Sequence, residues 1–289
     1  MIRWLLPLLL AVLSAPAAWA FADLRIDAKA LHEQAQAGRV VLLDARPEEE
    51  YHKGHLPGAR SAPFVKTFEN FAQDGRMASL PKAQALFSAV GLRPEDAVVV
   101  YDAGGMLHAA RVLWLLEVYG HKQVKLLEGG VKAWRQQGLA LTQEAVKTAP
   151  SQYVPSINPK RLATRITTLA ASSKPSAFVI LDARAPSHYA GQESEAPRFG
   201  HIPQARNIAV ANNLSADGMR LKSRQELSEL YKDLPKDKKI ITYCSVGLAS
   251  SLEYLVLRAL GYDVANYDAS WKEWGNDASL PIVSPMAAQ

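Results

Sequence analysis

Apolar residues along this chain fall into two patterns that take turns. Short runs rich in β-branched residues, Val40–Leu43, Val98–Val100, Phe178–Leu181 and Ile240–Thr242, alternate with longer stretches of helical periodicity. Those stretches are Pro81–Val90, Ala109–Tyr119, Ser223–Leu234 and Leu248–Leu260. The alternation predicts an α/β fold with a mostly parallel sheet flanked by amphipathic helices.

The pattern occurs twice. Val40-Val41-Leu42-Leu43-Asp44-Ala45-Arg46 returns as Phe178-Val179-Ile180-Leu181-Asp182-Ala183-Arg184, and Gly54-His55-Leu56-Pro57 as Gly200-His201-Ile202-Pro203. Val98-Val99-Val100-Tyr101-Asp102 returns as Ile240-Ile241-Thr242-Tyr243-Cys244, Gly120 matches Gly261, and Trp134 matches Trp274. The shift grows from 138 (44 to 182) to 146 (54 to 200) and falls back to 142 (102 to 244), which places a longer loop between Arg184 and Gly200. Two domains follow, 21–141 and 160–289, joined by a linker over 142–159 in which Pro150, Pro155 and Pro159 discourage helix.

The first twenty residues read as an export signal rather than as fold. Arg3 precedes a short apolar stretch, and Ala18-Trp19-Ala20 gives a small-x-small cleavage pattern, so the mature chain should begin near Phe21. The apolar run is too short for a comfortable membrane span, and no later segment is long and apolar enough for one. An exported, periplasmic protein is the expectation. The formal net charge of +5 is mild for 289 residues, and cations are mixed with anions without a basic block, which argues against nucleic acid as a partner.

Candidate chemistry centres on Cys244, the one cysteine of the chain. A lone thiol in an exported protein excludes an internal disulfide framework. Ile240–Tyr243 carries it to the end of a predicted strand, where Ser245-Val246-Gly247-Leu248-Ala249 turns into a helix. Backbone N–H groups and the positive end of that helix then converge on the sulfur and favour the thiolate. A buried structural cysteine is the alternative.

The repeat serves as an internal control. Features in both copies serve the fold first: His55 and His201 in their Gly-Pro turns, Trp134 and Trp274 in the core. Asp44/Arg46 and Asp182/Arg184 also recur, yet loops after the carboxyl ends of parallel strands converge on the ligand crevice, which puts Arg184 on the edge that faces Cys244. Asp102 stands where the second copy has Cys244; it can cap a helix but is no soft nucleophile.

Asp-x-Arg, then Gly-His-[Leu/Ile]-Pro, then strand-Cys-loop-helix resembles the rhodanese family of sulfurtransferases over nearly the whole mature chain, with an inactive first copy and an active second. The resemblance implies covalent catalysis without metal or organic cofactor. Cys244 takes the outer sulfur of a small anionic donor such as thiosulfate and passes it from a persulfide to cyanide or a thiol. It gives Arg184 an anion-binding role, and the N–H groups of Ser245, Val246, Gly247, Leu248 and Ala249 would hold developing negative charge. His108, in the first copy's counterpart loop, could wall the pocket between domains.

The loop departs from the best-known relatives. Thiosulfate-specific members carry cations directly after the cysteine, where this chain has Ser245-Val246; mercaptopyruvate-using members carry small neutral residues there, but also a second arginine where this chain has Ala190. Thiosulfate is the default donor, mercaptopyruvate the alternative. A cysteine phosphatase would need an arginine at the position of Ser250. A non-catalytic redox-sensing or binding module on the same scaffold is the remaining rival, and the oligomeric state cannot be read from the sequence.

Overall fold

A computed structural model describes residues 24–144 and 146–284. The expected export signal lies outside these residues. The first copy contains β1 (Arg25–Ile26), α1 (Ala28–Gln36), β2 (Val41–Asp44), α2 (Glu48–Lys53), β3 (Arg60–Ser61), α3 (Leu80–Ala89), β4 (Val98–Tyr101), α4 (Leu107–Val118), β5 (Val124–Leu127) and α5 (Gly130–Gln136). The second contains β6 (Leu162–Ala163), α6 (Arg165–Ser172), β7 (Phe178–Asp182), α7 (Pro186–Tyr189), β8 (Ala205–Asn207), α8 (Arg224–Leu230), β9 (Lys239–Tyr243), α9 (Ala249–Ala259), β10 (Val264–Tyr267) and α10 (Ser270–Trp274).

Each copy builds a five-stranded parallel sheet, ordered β1-β5-β4-β2-β3 and β6-β10-β9-β7-β8. The two orders are the same order, element for element. All four residues of β4 are buried, as are the last four of β9, the expected state of central strands covered by helices on both faces. Local signals start several helices: Thr164 and Ser223 form capping boxes with Thr167 and Glu226, and Asp27 accepts the N–H of Ala30. The longer loop of the second copy holds α7 and the bends that follow it up to Gly200. None of the described helices is long and apolar enough to cross a membrane.

The helix at Ala109–Tyr119 departs from its expected form. Ten consecutive residues of α4, Ala109 to Val118, are buried, so it is no amphipathic surface helix. It lies between its own sheet and α9, and apolar side chains of both copies merge into one core there, among them Leu113, Trp114, Leu116, Leu252, Leu255 and Val256. Polar contacts cross the same seam: Tyr254 Oη donates to Glu117 Oε2 at 2.7 Å, and Arg258 meets Glu117 at 3.1 Å. Residues 146–158 carry neither helix nor strand and run along the first copy, with Ser151 donating to the carbonyl of Ser88 and Tyr153 packed edge-on against Phe87.

Candidate active site

β9 sits in the middle of its sheet, between β10 and β7, and ends in Cys244 at the carboxyl edge of the strands, where open α/β folds bind ligands. The cysteine is only 2% exposed. Its backbone is pinned on both sides: the N–H donates to Ser270 Oγ at 3.1 Å, and the carbonyl accepts from Trp271 N at 2.9 Å. Lys272 N donates to the carbonyl of Ser245 at 2.9 Å. The start of α10 therefore clamps the cysteine in place.

Two donors reach the sulfur. Gly247 N–H lies 3.1 Å from Sγ, and the hydroxyl of Ser250 lies 3.4 Å from it. Gly247 makes its contact in the left-handed region, φ 80°, where a side chain would be strained. A Cβ there would also strike the carbonyl oxygen of Asp268 at 2.5 Å and Arg111 Nη1 at 2.6 Å. The N–H groups of Ser245, Val246 and Leu248 have no hydrogen-bond acceptor among the described residues.

Arg111 comes from the first copy. It is fully buried on α4, its guanidinium lies 4.0 Å from the ring of Phe68 and 4.6 Å from that of Trp114, and Nε donates to Thr67 Oγ1 at 3.3 Å. Nη2 meets Asp268 Oδ1 of the second copy at 2.8 Å, close in distance but off the line of a good hydrogen bond, and Nη1 has no acceptor among the described residues. Burial pulls the guanidinium below its ordinary value; the Asp268 charge, and after it the Cys244 sulfur, act the other way. Burial pushes the Asp268 carboxyl up, against the pull of Arg111. Arginine stays protonated in proteins, so a positive charge is buried directly behind the cysteine loop.

The Asp-x-Arg pairs are two copies of one strut. Arg46 forks onto Asp44 and donates to the carbonyl of Gly54; Arg184 forks onto Asp182 and donates to that of Gly200, with matching distances of 2.6 Å and 2.8 Å. Tyr101 and Tyr243 complete the struts, each accepting from the Gly-His-Pro turn, through Leu56 N and Ile202 N. Arg184 is buried, holds strand end to turn and stacks over Trp271 at 4.4 Å, and its Nη1, unlike that of Arg46, is buried without an acceptor among the described residues. His55 and His201 are scaffold too, stacked on Tyr51 and Tyr189 and bonded to their carbonyls. Trp134 and Trp274 are buried, each with its indole N–H on a backbone carbonyl.

His108 is not brought into contact with the sulfur. It lies in the first turn of α4, stacks on Phe64 at 3.7 Å and donates its N–H to Asp102, and burial lowers its imidazole while Asp102 opposes that. Asp102 itself accepts from Gly104, Met106, His108 and Ala109, so its carboxylate gathers in the N–H groups that open α4. A cavity of about 670 Å³ opens at the opposite, amino ends of β4, β5 and β10, lined by Val98, Lys122, Arg258 and Tyr262, well away from the cysteine. No cluster of metal-ligating side chains occurs among the described residues.

Comparison with known proteins fits this geometry. The rhodanese-like domain family matches residues 27–137 and 166–277. The chain belongs to the rhodanese family. A thiosulfate sulfurtransferase from Pseudomonas aeruginosa is 34% identical over 268 residues, covering 91% of this chain and 98% of that one. The sulfur carrier protein TtuD of Thermus thermophilus is 34% identical over 252 residues, covering 80% and 86%. Among solved structures, SseA from Escherichia coli, described as a 3-mercaptopyruvate sulfotransferase, superposes with a TM-score of 0.76 at 26% identity, covering 85% of this chain and 98% of that one.

Within this rhodanese pair, the sequence singles out the Cys244 loop but not its supports. At Ser250 the sequence shows only the absence of an arginine, whereas its buried hydroxyl bonds the sulfur. Ser270 and Asp268 lie beyond the loop in sequence and reach it only because β10 neighbours β9. Arg111 is 133 residues from Cys244 (244 minus 111) and carries no motif; its one signal is an arginine within a largely apolar helical stretch.

Proposed function

We propose that this chain is a sulfurtransferase that moves sulfane sulfur through a Cys244 persulfide. The observation that carries the reading is the pair of donors, Gly247 N–H and Ser250 Oγ–H, on a cysteine sulfur fixed at the carboxyl edge of the sheet. Hydrogen bonds to the charged form of a group favour that form, and the thiolate is the attacking species. In the first half-reaction the thiolate attacks the outer sulfur of thiosulfate. A Cys–S bond forms, the bond to the sulfonate sulfur breaks, and its electron pair leaves with sulfite. In the second, an acceptor such as cyanide attacks the outer sulfur and leaves as thiocyanate, which restores the thiolate. Covalent storage divides one transfer into two displacements. The unsatisfied N–H groups of Ser245, Val246 and Leu248 supply further donors for negative charge on the bound sulfur.

Thiosulfate is the donor we favour, supported by the name of the Pseudomonas relative, and mercaptopyruvate is the alternative, supported by the neutral Ser245-Val246 pair. His108, stacked on Phe64 at the facing end of α4, is placed in the donor's wall in this reading. Residues 1–20 are an export signal, 21–141 a silent domain, 142–159 a linker and 160–289 the working domain, and the protein acts in the periplasm. Steady-state turnover with cyanide, run with each donor in turn, tests the reading. Thiocyanate release with thiosulfate exceeding that with mercaptopyruvate at least tenfold is expected. The reverse ratio would keep the mechanism and change the donor, and no release with either would leave a sensing or binding module.

A further inference from the structure

We propose that Arg111, lent by the silent copy, is a positioning residue for the Cys244 loop: it holds Gly247 in place over the sulfur and biases the site toward a negatively charged sulfur. The proposal rests on the reading of Cys244 as the nucleophile and adds to it the purpose of the first domain. Arg111 never touches the reacting atoms in this account. It acts through Gly247.

Three observations meet at this residue. The guanidinium occupies the place a Gly247 side chain would fill, with Nη1 2.6 Å from the ideal Cβ, and Gly247 is the residue whose N–H points at Sγ. Nη1 is buried with no acceptor among the described residues, so one charged N–H pair lies against the loop backbone without a local reason to be there. The group is also rigidly supported: Phe68 and Trp114 cover it, Thr67 takes Nε, and Asp268 takes Nη2. Asp268 lies two residues before Ser270, the acceptor of the Cys244 N–H, and takes the N–H of Met77 from the first copy. One ion pair therefore ties both domains to the cysteine's immediate supports.

The repeat shows that the fold does not need this cation. By the shift that relates Asp102 to Cys244, 142 residues, Arg111 of α4 corresponds to Glu253 of α9. Glu253 is fully buried as well, and burial pushes its carboxyl well above the ordinary range, toward the neutral acid. The pseudo-equivalent position of the same helix seam thus closes around a different group of opposite type. Other features of the repeat agree: Asp268 and Glu128 both follow the last strand of their sheet and both accept an N–H from the other copy, from Met77 and from Leu221. Cross-domain acceptance is therefore shared, while the arginine belongs to the side that carries the thiol.

A buried charge with a counter-ion has two effects that variants separate. An opposite charge close to a titrating group favours its ionised form. Removing Arg111 withdraws that help; removing Asp268 leaves Arg111 uncompensated and strengthens it. We would titrate the thiolate absorbance near 240 nm in the full-length protein, with Cys244→Ser subtracted, for wild type, Arg111→Met, Arg111→Lys and Asp268→Asn. The Arg111→Met midpoint should move up and Asp268→Asn should move down, with Arg111→Lys restoring at least half of the lost shift. Persulfide formation at neutral pH should fall about tenfold in Arg111→Met for the same reason.

A role confined to docking the domains moves both variants the same way or moves neither, and that result overturns the proposal. If Arg111→Met does not fold, Asp268→Asn and Arg111→Lys still decide: a midpoint that fails to fall in Asp268→Asn, or a folded lysine variant whose midpoint rises as far as removal of the charge would take it, contradicts it. The titration uses no sulfur donor. A protein that titrates as described yet never accepts sulfur would refute the proposed function and leave this inference standing.

Discussion

After β4 the chain ends in a carboxylate, and after β9 it ends in a thiol. Both lie at the same place on the same scaffold. Asp102 accepts four backbone N–H groups, whereas Cys244 accepts one N–H and one hydroxyl and leaves the N–H groups of Ser245, Val246 and Leu248 without acceptors among the described residues. The N–H groups of Ala103, Gly105 and Leu107 are likewise without acceptors among the described residues, so the difference lies in the anchor. A carboxylate that draws in four N–H groups caps its helix, whereas the sulfur is held by one N–H and one hydroxyl. The first copy supplies part of the apolar seam and the Arg111 cation behind the Cys244 loop.

The largest expected effect tests whether the two Asp-x-Arg struts are equivalent. Arg184→Ala and Arg46→Ala each leave a buried carboxylate unpaired, and each should lower the unfolding free energy by about 3–5 kcal/mol in chemical denaturation. A substrate role for Arg184 predicts instead that its variant keeps stability and loses donor affinity. Next is the glycine of the working loop. Gly247→Ala meets Asp268 and Arg111, should cost about 1–3 kcal/mol of stability and should slow sulfur loading by at least tenfold. Gly105→Ala in the silent loop has nothing within 4 Å and should change neither.

Ser250→Ala deletes one of two donors to sulfur and should slow thiocyanate production about tenfold, the equivalent of ~1.4 kcal/mol, with little change in stability. Its repeat counterpart, His108, holds Asp102 through its backbone, so His108→Ala should leave that bond intact. The smallest effect concerns acid. Burial holds the His121 imidazole below its ordinary 6.5, so the unfolded chain takes up the proton first. The stability this group supports is whole above pH 6.5 and declines as pH falls below it, by up to about 1.4 kcal/mol per pH unit. The second copy has Tyr262 at this position, and His121→Gln should flatten the acid limb of a stability–pH curve.

Legibility in the sequence followed the range of the forces involved. The strands, the doubled sheet and the position of Cys244 were readable because periodicity and strand-end turns are local. The repeat also sorted His55, His201, Trp134 and Trp274 correctly into scaffold, since whatever both copies keep serves what both copies do. For Arg184 the edge of the sheet suggests a ligand, and the structure adds an internal strut to Asp182 and Gly200 that leaves Nη1 without an acceptor among the described residues. α4 misled because amphipathicity presumes one wet side, and α9 removed it. Arg111 and Asp268 were illegible for a physical reason: their partnership crosses domains, and no spacing in the chain encodes which buried charge meets which.

The central claim is that Cys244 carries sulfur as a persulfide. Intact-protein mass after adding thiosulfate to the reduced protein, beside Cys244→Ser, tests it most directly. The account predicts a gain of one sulfur atom, about 32 mass units, absent in the variant and discharged by cyanide. An accessible thiol that gains no mass with thiosulfate or mercaptopyruvate, or a gain that persists in Cys244→Ser, would contradict it.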